Sequence, residues 1–262
     1  MKQLVRFGVV QAKSCLFPLI IFSTLALTTM VEVEGLNRYD LIFFICLAAQ
    51  FLLILSGYET FDELKVISVF HLIGLALELY KVHMGSWSYP EEGWTKVYGV
   101  PLYSGFMYAS VASYMCQAWR RLQLQLIHWP STWMVILLSC AIYFNFFTHH
   151  FIYDFRWELK LLTIILFVKT FIFFTVNGRV YKMPLSLSFV LIGFFIWIAE
   201  NIATFFGAWR YPNQQNHWEL VHIGKISSWL LLVIVSFLIV AVLKHVKRDR
   251  EEEDFYSEKR LG

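Results

Sequence analysis

Long apolar runs recur along the whole chain and constrain its fold more than any other feature. A membrane-spanning helix needs ~20 mainly apolar residues. Of the 262 residues, 58% are hydrophobic and only 16% are charged, which leaves too little polar surface for a soluble globular domain. We therefore predict an all-α polytopic membrane protein with eight transmembrane helices. The expected spans are roughly 14–31, 40–58, 64–84, 101–119, 129–149, 159–177, 185–206 and 225–244.

One motif occurs twice, each time where an apolar run ends. Its first copy consists of Glu78, Gly85, Trp87, Tyr89 and Pro90. The same residue types recur 122 residues later, as Glu200, Gly207, Trp209, Tyr211 and Pro212. The preference of Trp and Tyr for membrane interfaces explains the aromatic residues but not the matched acid, glycine and proline. We infer that the chain is a duplicated unit.

The duplication predicts the arrangement of the helices. A shift of 122 residues maps spans five to eight onto spans one to four, so each unit holds four helices and both units run in the same direction. We expect a single integral-membrane domain, residues 1–262, with repeat one at about 14–119, repeat two at about 129–244 and a charged cytoplasmic tail at 245–262. A pseudo-two-fold axis along the membrane normal relates such parallel repeats.

The distribution of positive charge predicts the orientation. Lys and Arg are more numerous in the segments on the same side as the N-terminus, so both termini should be cytoplasmic in a multi-pass protein of the cell membrane. The formal net charge of +3 reports topology rather than nucleic-acid binding. The four cysteines fall within predicted spans and imply neither a disulfide framework nor a metal site: Cys15, Cys46, Cys116 and Cys140.

Two acids lie inside predicted spans, and we expect them to carry the chemistry. Glu78 and Glu200 sit about a third of the way in from the outer ends, where an unpaired carboxylate is costly and ionisable residues usually serve function. His71 lies seven residues before Glu78, on the same helical stripe, and is a further catalytic candidate. Lys81 lies three residues after Glu78, on a neighbouring face. Both are candidate partners of Glu78.

Lys169 is the fourth catalytic candidate. It lies near the middle of the sixth predicted span, and its long side chain should lean toward the outer side. Counting equal rises from the outer ends of spans six and seven brings its ammonium group toward Glu200. The sequence thus predicts an intramembrane Lys169–Glu200 ion pair, which serves either function or the packing of two helices.

The aromatic turns have both a structural and a functional interpretation. Glycine permits a left-handed residue at a helix end, and proline prevents the helix from resuming. In the functional interpretation, the Trp and Tyr rings of both copies line a groove for an apolar chain or polyene. The substrate-binding candidates are Trp87, Tyr89, Trp209, Tyr211, Lys81 and Asn201.

A second polar cluster contains His149, His150 and Asp154, whose nitrogen and oxygen atoms suit zinc or a similar metal. No His-x3-His pair or metalloprotease signature accompanies them. Histidines at an outer membrane interface are the simpler explanation, so we predict no metal and no cofactor.

Several stretches resemble a known family. Residues 70–78, 85–93 and 99–109, together with 145–150 and 198–209, resemble the YoaT-like family of bacterial integral-membrane proteins, a domain of unknown function (817). This resemblance implies a multi-pass cell-membrane protein and no known activity or cofactor. The first turn and the following Gly-Val-Pro-Leu are also similar to membrane carotenoid cyclases and hydratases, which use intramembrane carboxylates to protonate polyenes. Tyr103-Ser104 stand where those cyclases have paired acids.

Three functions remain open from the sequence. The first is a membrane-embedded enzyme on a lipid or isoprenoid, with Glu78 or Glu200 as general acid and membrane lipids or a hydrophobic small molecule as partners. The second is a proton- or ion-coupled transporter or channel. The third is a non-catalytic assembly or stress factor whose polar pairs fix helix packing. No phosphate-binding loop supports nucleotide-driven work.

Overall fold

The structure, a computed structural model, describes residues 2–224, 226 and 231–241. It is mostly helical. The helices are α1 (Lys2–Ser14), α2 (Leu16–Leu27), α3 (Arg38–Leu55), α4 (Phe61–His83), α5 (Tyr103–Arg121), α6 (Thr132–Thr148), α7 (Arg156–Phe167), α8 (Leu185–Phe205) and α9 (Leu231–Ala241), with a 3-10 turn at Pro212–Gln214. The predicted charged tail at 245–262 and both ends of the eighth predicted span lie outside the described residues.

The prediction that the fold is all-α needs correction, because short strands form two antiparallel sheets. The strands are β1 (Lys96–Val97), β2 (Val100–Pro101), β3 (Gln125–Ile127), β4 (Phe171–Val176) and β5 (Arg179–Pro184). The first pair forms a small ribbon, and the other three form a sheet in the order β3-β4-β5. In that sheet, Phe173 of β4 is opposite Gln125 of β3 and Lys182 of β5.

The sixth predicted span was wrong beyond Phe167, where α7 ends. Most of the residues at 168–176 are β-branched or aromatic, and such side chains favour a strand over a helix. Asn177 and Gly178 then turn the chain with φ values of 50° and 73°, as a two-residue hairpin requires. The local Asn-Gly signal therefore outweighs the apolar character of the run.

The first predicted span, 14–31, is shorter than expected, because its helix α2 covers only Leu16–Leu27. Helices α1 and α2 meet at a 68° bend around Cys15. Pro18 lacks the N–H that would continue the hydrogen-bond ladder, so it is tolerated only in the first turn of α2. The apolar run therefore starts a new helix rather than prolonging α1.

Within the described residues, three helices are long and apolar enough to cross a membrane, namely α3, α4 and α8. The bent pair α1–α2 makes a fourth if it is counted as one span. Helices α6 and α9 are apolar but shorter.

The first end of the bundle, here called the site end, gathers the ends of α2, α4, α6 and α8 and the beginnings of α3 and α5. Arg38, the first residue of α3, donates to the carbonyl of Phe206, just after α8. Tyr103, the first residue of α5, donates to the carbonyl of Ala208. These bonds fix the polar loops at the site end.

The opposite end, here called the sheet end, holds β3, β4 and β5. The amide of Thr175 in β4 donates to the carbonyl of Leu122, just after α5, at 2.7 Å. Phe7 of α1 packs on Phe174 of β4, with 5.5 Å between the ring centroids. From α2 onward, the helices therefore run alternately between the two ends.

Helices α4 and α5 pack closely because two glycines leave room for rings. A Cβ atom at Gly74 would lie 2.4 Å from Cγ of Tyr108, and one at Gly105 would lie 2.8 Å from Cε1 of His71. Such distances are far below van der Waals contact. These glycines therefore decide how Tyr108 and His71 sit between the helices.

Candidate functional site

The two motif copies end α4 and α8 in the same way. Gly85 and Gly207 have φ values of 69° and 70°. In both copies, the residue after the glycine donates its backbone N–H to the carbonyl of the residue five positions earlier. These bonds run from Ser86 to Lys81 at 2.9 Å and from Ala208 to Ala203 at 3.0 Å. Both turns are thus Schellman motifs, which turn the following aromatic residues back toward the helix.

The two turns also pair with each other. The amide of Ser88 donates to the carbonyl of Arg210 at 3.0 Å, and the amide of Arg210 donates to the carbonyl of Ser88 at 2.9 Å. Ser88 and Arg210 are themselves 122 residues apart and occupy the same motif position. An antiparallel pair between equivalent residues has a local two-fold axis, so the two copies face each other.

Glu78 is the centre of the first copy, and its carboxylate accepts three side-chain hydrogen bonds. Trp87 Nε1 and Tyr89 Oη donate to Oε2 at 2.7 and 2.8 Å, and Tyr108 Oη donates to Oε1 at 2.8 Å. The residue is only 4% exposed. These contacts compensate for much of the cost of burying the carboxylate.

The prediction that Lys81 or His71 is the partner of Glu78 was wrong. Residue Lys81 turns toward α6 instead, and His71 packs on Phe106 with 4.5 Å between the rings. The Nδ1 atom of His71 is buried and has no partner among the described residues. Both His71 and Glu78 nevertheless face α5.

Glu200 repeats part of this arrangement in the second copy. It is 3% exposed, and Tyr211 Oη donates to its Oε1, as Tyr89 does to Glu78. Burial raises the pKa of Tyr211 well above its usual value, and the charge of Glu200 and then that of Glu78 raise it further. The charges of both acids therefore act on the Tyr211 hydroxyl. The ring of Trp87 meets the Tyr211 ring edge-on at 5.9 Å, which joins the two copies.

A cavity of about 250 Å³ lies beside these groups at the site end. The described residues that line it are Lys81, Ser86, Trp87, Tyr108, Ile142, Tyr143, Asn145, Phe146, His149, His150, Arg156, Tyr211, Leu231, Leu232 and Val235. Tyr108 and Tyr211 thus touch both a buried glutamate and the cavity. Glu78 and Glu200 lie behind the two phenols.

Basic groups gather on one wall of the cavity. Lys81 Nζ lies 3.2 Å from His150 Nε2 and 4.2 Å from the centre of the Phe146 ring. The imidazole ring centroids of His149 and His150 lie 4.0 Å apart, with an angle of 36° between the ring planes. Burial, then the neighbouring His149, then the Lys81 ammonium lower the pKa of His150, so its neutral form is favoured.

The predicted Lys169–Glu200 pair does not form in the described structure. Lys169 is exposed in the turn between α7 and β4. The neighbouring Thr170 bonds through its carbonyl to the amide of Leu185, which begins α8. Glu200 is fifteen residues further along that helix, about 22 Å by helical rise. The prediction failed because the sixth span is not one continuous helix.

The six substrate-binding candidates divide into two groups. Lys81, Trp87 and Tyr211 line the cavity, whereas the others are outside its described lining. Tyr89 is buried against Glu78, and Trp209 is 8% exposed. Asn201 accepts from the Val221 amide at 2.8 Å, so it holds the segment after the second turn.

The histidine cluster is not arranged around a metal. In the described part of the chain, no group of three or more His, Cys, Asp or Glu residues is placed to hold one. Asp154 Oδ1 accepts from Asn145 Nδ2 and from the Arg156 amide, both at 3.0 Å, and its Oδ2 pairs with Arg156 Nη2 at 3.0 Å. His149 Nδ1 faces the carbonyl of Phe146 at 3.0 Å.

Tyr108 and Arg156 are site residues that the sequence did not single out for the cavity. Tyr108 belongs to α5, thirty residues after Glu78, and no local motif connects the two. Arg156 begins α7 and joins the wall because α6 and α7 meet at the site end. The one sequence signal for Tyr108 is Gly74, four residues before Glu78, because a glycine inside a helix indicates that a bulky group packs closely there.

Comparison with known proteins confirms the family resemblance. A family model described as "Protein of unknown function (DUF817)" matches residues 3–237. The chain is 67% identical over 246 residues to "Uncharacterized protein YoaT" of Bacillus subtilis (strain 168), a match that covers 94% of this chain and 93% of the relative. No solved structure matches it. The chain belongs to the DUF817 family of proteins of unknown function.

Proposed function

We propose that the chain is a multi-pass cell-membrane protein built from two parallel four-helix repeats. The alternating course of the helices from α2 to α9 supports eight crossings, in which α2 and α7 each have 12 residues and are about 18 Å long. The Ser88–Arg210 pair supports the two-fold relation between repeats. Arg120 and Arg121 lie at the sheet end together with α1, which supports a cytoplasmic N-terminus. With eight crossings the C-terminus is cytoplasmic too.

Within this framework, we propose a membrane-embedded enzyme that transfers a proton to or from a lipid or isoprenoid held in the cavity. One observation carries this proposal: Tyr108 and Tyr211 both line the cavity, and each bonds to a buried glutamate. A group with an exchangeable proton thus faces the occupant, with a carboxyl group directly behind it. This is the geometry that general acid–base catalysis requires.

The tyrosines change the roles assigned from the sequence. From the hydrogen-bonded state, Tyr108 Oη passes its proton to the Glu78 carboxylate as it takes one from the occupant, and Glu78 ends as a carboxyl group. The reverse sequence, from protonated Glu78, gives a proton to the occupant. Glu78 and Glu200 act as proton stores, and Trp87 supplies an apolar surface beside the reacting end. Tyr103, which stands in place of a cyclase acid, bonds to the Ala208 carbonyl and holds the second turn.

A lipidome comparison tests the enzyme. A deletion strain carrying the wild-type protein should differ from the empty deletion strain in one lipid class, and Tyr108→Phe should lower that conversion by ~10²-fold or more. Glu78→Gln should have a similar effect. Tyr153→Phe is the matched control, because Tyr153 is 65% exposed and outside the described lining. Identical lipidomes with and without the wild-type protein would contradict the proposal.

Proton-coupled transport is the second candidate, and one feature favours it. Glu59, 2% exposed toward the sheet end, accepts from Ser113 of α5, while His71 and Glu78 follow along α4 toward the site end. These three ionisable groups are spaced along α4 and the residues just before it, from the sheet end to the site end, as a proton path would require. Proton uptake by proteoliposomes that requires Glu59 would favour transport over the enzyme. Full function of both Glu78→Gln and Glu200→Gln would favour a non-catalytic assembly role.

A further inference from the structure

We propose that the cavity selects an amphiphile whose polar end is a neutral hydroxyl group, as in an alcohol of a lipid or isoprenoid. This inference rests on the proposed function, because it names the substrate class of the same site. It follows from which side-chain atoms at the cavity can donate a hydrogen bond and which can only accept one. Three residues of the lining decide this, namely Tyr108, Tyr143 and His149.

His149 offers the occupant a hydrogen-bond acceptor. Its Nδ1 atom faces the carbonyl oxygens of Phe146 at 3.0 Å and of Asn145 at 3.2 Å. Since a carbonyl oxygen only accepts, the hydrogen of the neutral ring must be on Nδ1, and Nε2 then carries a lone pair. Burial, followed by the charge of Lys81, lowers the pKa of His149 and so favours this neutral form. Within the described residues, Nε2 has no hydrogen-bond partner.

Tyr108 also serves the occupant as an acceptor. Its single O–H donates to Oε1 of Glu78 at 2.8 Å, so the lone pairs of Oη remain for a second bond. A phosphate, carboxylate or carbonyl oxygen beside Tyr108 and His149 would place acceptor against acceptor with no hydrogen to share. Such an arrangement is costly away from water. The group that meets these two residues must therefore carry a hydrogen that it can donate.

Tyr143 supplies a donor for the same occupant. Among the residues that the structure describes, none forms a hydrogen bond with its hydroxyl. A phenol covered by an apolar molecule would lose its hydrogen bonds to water, so its O–H should bond to the occupant. An ammonium group has no lone pair to accept that bond, and it would share the cavity with the Lys81 ammonium. A hydroxyl group accepts at its oxygen and donates its own hydrogen.

Other parts of the lining suit an apolar chain. Aliphatic side chains from α6 and α9 contribute to it, namely Ile142, Leu231, Leu232 and Val235. Burial of the first carbons of an acyl or isoprenoid chain against them is favourable, whereas a small polyol would gain little there. A cavity of about 250 Å³ holds a hydroxyl group and a short part of a chain, so the remainder must extend outside it.

Binding of four probes to the purified full chain in uncharged nanodiscs tests the assignment, with empty nanodiscs to correct for partition into lipid. The probes are dodecanol, fluorododecane, dodecyl phosphate and dodecylammonium. Fluorododecane matches dodecanol in length but has no hydrogen to donate. We expect dodecanol to bind about tenfold more tightly than each of the other three, because each of them leaves a donor or an acceptor of the cavity without a partner.

Substitutions then locate the hydroxyl group. His149→Phe keeps a ring but removes the acceptor, and Tyr143→Phe removes only the phenol oxygen. Each should weaken the binding of dodecanol about fivefold to tenfold and leave that of fluorododecane nearly unchanged. The matched controls are His83→Phe and Tyr153→Phe, since both residues are exposed and outside the described lining. Both controls should bind dodecanol like the wild type. Unchanged binding of fluorododecane shows that the cavity keeps its shape.

The outcomes separate the two proposals. Equal binding of dodecanol and fluorododecane by the wild type, or tightest binding of a charged probe, would overturn the hydroxyl group and leave the enzyme to its own Tyr108→Phe lipidome test. Equal weakening of dodecanol and fluorododecane by His149→Phe and Tyr143→Phe would also overturn it, since the loss would not depend on the donor. If none of the probes binds, this inference fails, while a lipid change that depends on Tyr108 would still uphold the enzyme.

Discussion

Replacing Glu78 with leucine should lower the free energy of unfolding by ~3 kcal/mol or more, since each buried donor left without an acceptor costs about 1–3 kcal/mol. Three donors lose their acceptor together: Trp87 at 2.7 Å and Tyr89 and Tyr108 at 2.8 Å. Leucine has a similar volume, so most of the loss comes from the hydrogen bonds. Equilibrium unfolding of purified protein in a mild detergent measures it.

The control for this substitution is Glu92→Leu. Glu92 lies a few residues after the first turn and is exposed, so its replacement should change stability by less than about 0.5 kcal/mol. Glu78→Gln should fall between the two, because its amide retains one acceptor oxygen. Equal stability of the Glu78→Leu and Glu92→Leu proteins would show that Glu78 does not hold these three donors.

Adding a single methyl group at Gly74 should abolish the function that depends on Tyr108. The Cβ of alanine would lie 2.4 to 2.6 Å from three atoms of the Tyr108 side chain, so either the ring or the helix must move. Overpacking of this kind costs about 1–3 kcal/mol. The displacement of the Tyr108 ring also separates its Oη atom from Glu78 and from the cavity. Gly74→Ala should therefore match Tyr108→Phe in the lipidome assay and be less stable than it.

Gly8→Ala is the matched control. Gly8 is also within a helix, but nothing lies within 4 Å of the added Cβ. Alanine is favoured over glycine inside helices by roughly 0.5–1 kcal/mol, so this variant should be as stable as the wild type or slightly more so. A Gly74→Ala protein with normal stability and normal function would contradict the close packing of α4 on α5.

Much of the helical framework was predictable, because apolar runs of membrane length have few other ways to satisfy their backbone polar groups. Helices α3, α4, α5 and α8 fall within the predicted spans, give or take a few residues. The errors in the predicted spans came from local turn and helix-start signals, which the apolar composition of a run does not reveal. A bend at Cys15 makes the first run begin a new helix, and Asn177-Gly178 turns the sixth into a hairpin.

The site was predictable only where its residues share a motif. The equal spacing of Glu78 to Tyr89 and of Glu200 to Tyr211 placed the right side chains together, as the two hydrogen bonds show. Contacts between distant segments were not predictable. Lys81 was paired with the nearest acid along its helix, but the approach of α6 gives it His150 instead.

The two copies differ where the second lacks the supporting residues of the first. Gly193 stands at the position of His71 and Ile196 at that of Gly74, so the second copy lacks a glycine at the position where the first admits the Tyr108 ring. Tyr108 belongs to the first copy and Tyr211 to the second, yet both face one cavity. This asymmetry favours one shared site over two identical ones.

The proposed function requires that the two motif copies meet at one site, and a cross-link between them tests this most directly. Hydrogen-bonded antiparallel neighbours have Cα atoms about 5.5 Å apart, a distance that suits a disulfide. The test protein carries Ser88→Cys and Arg210→Cys, with alanine at the four native cysteines: Cys15, Cys46, Cys116 and Cys140. Mass analysis after mild oxidation should find a bond within one chain. No such bond, or equal bonding of Ser88→Cys with Arg179→Cys at the sheet end, would contradict a site shared by both copies.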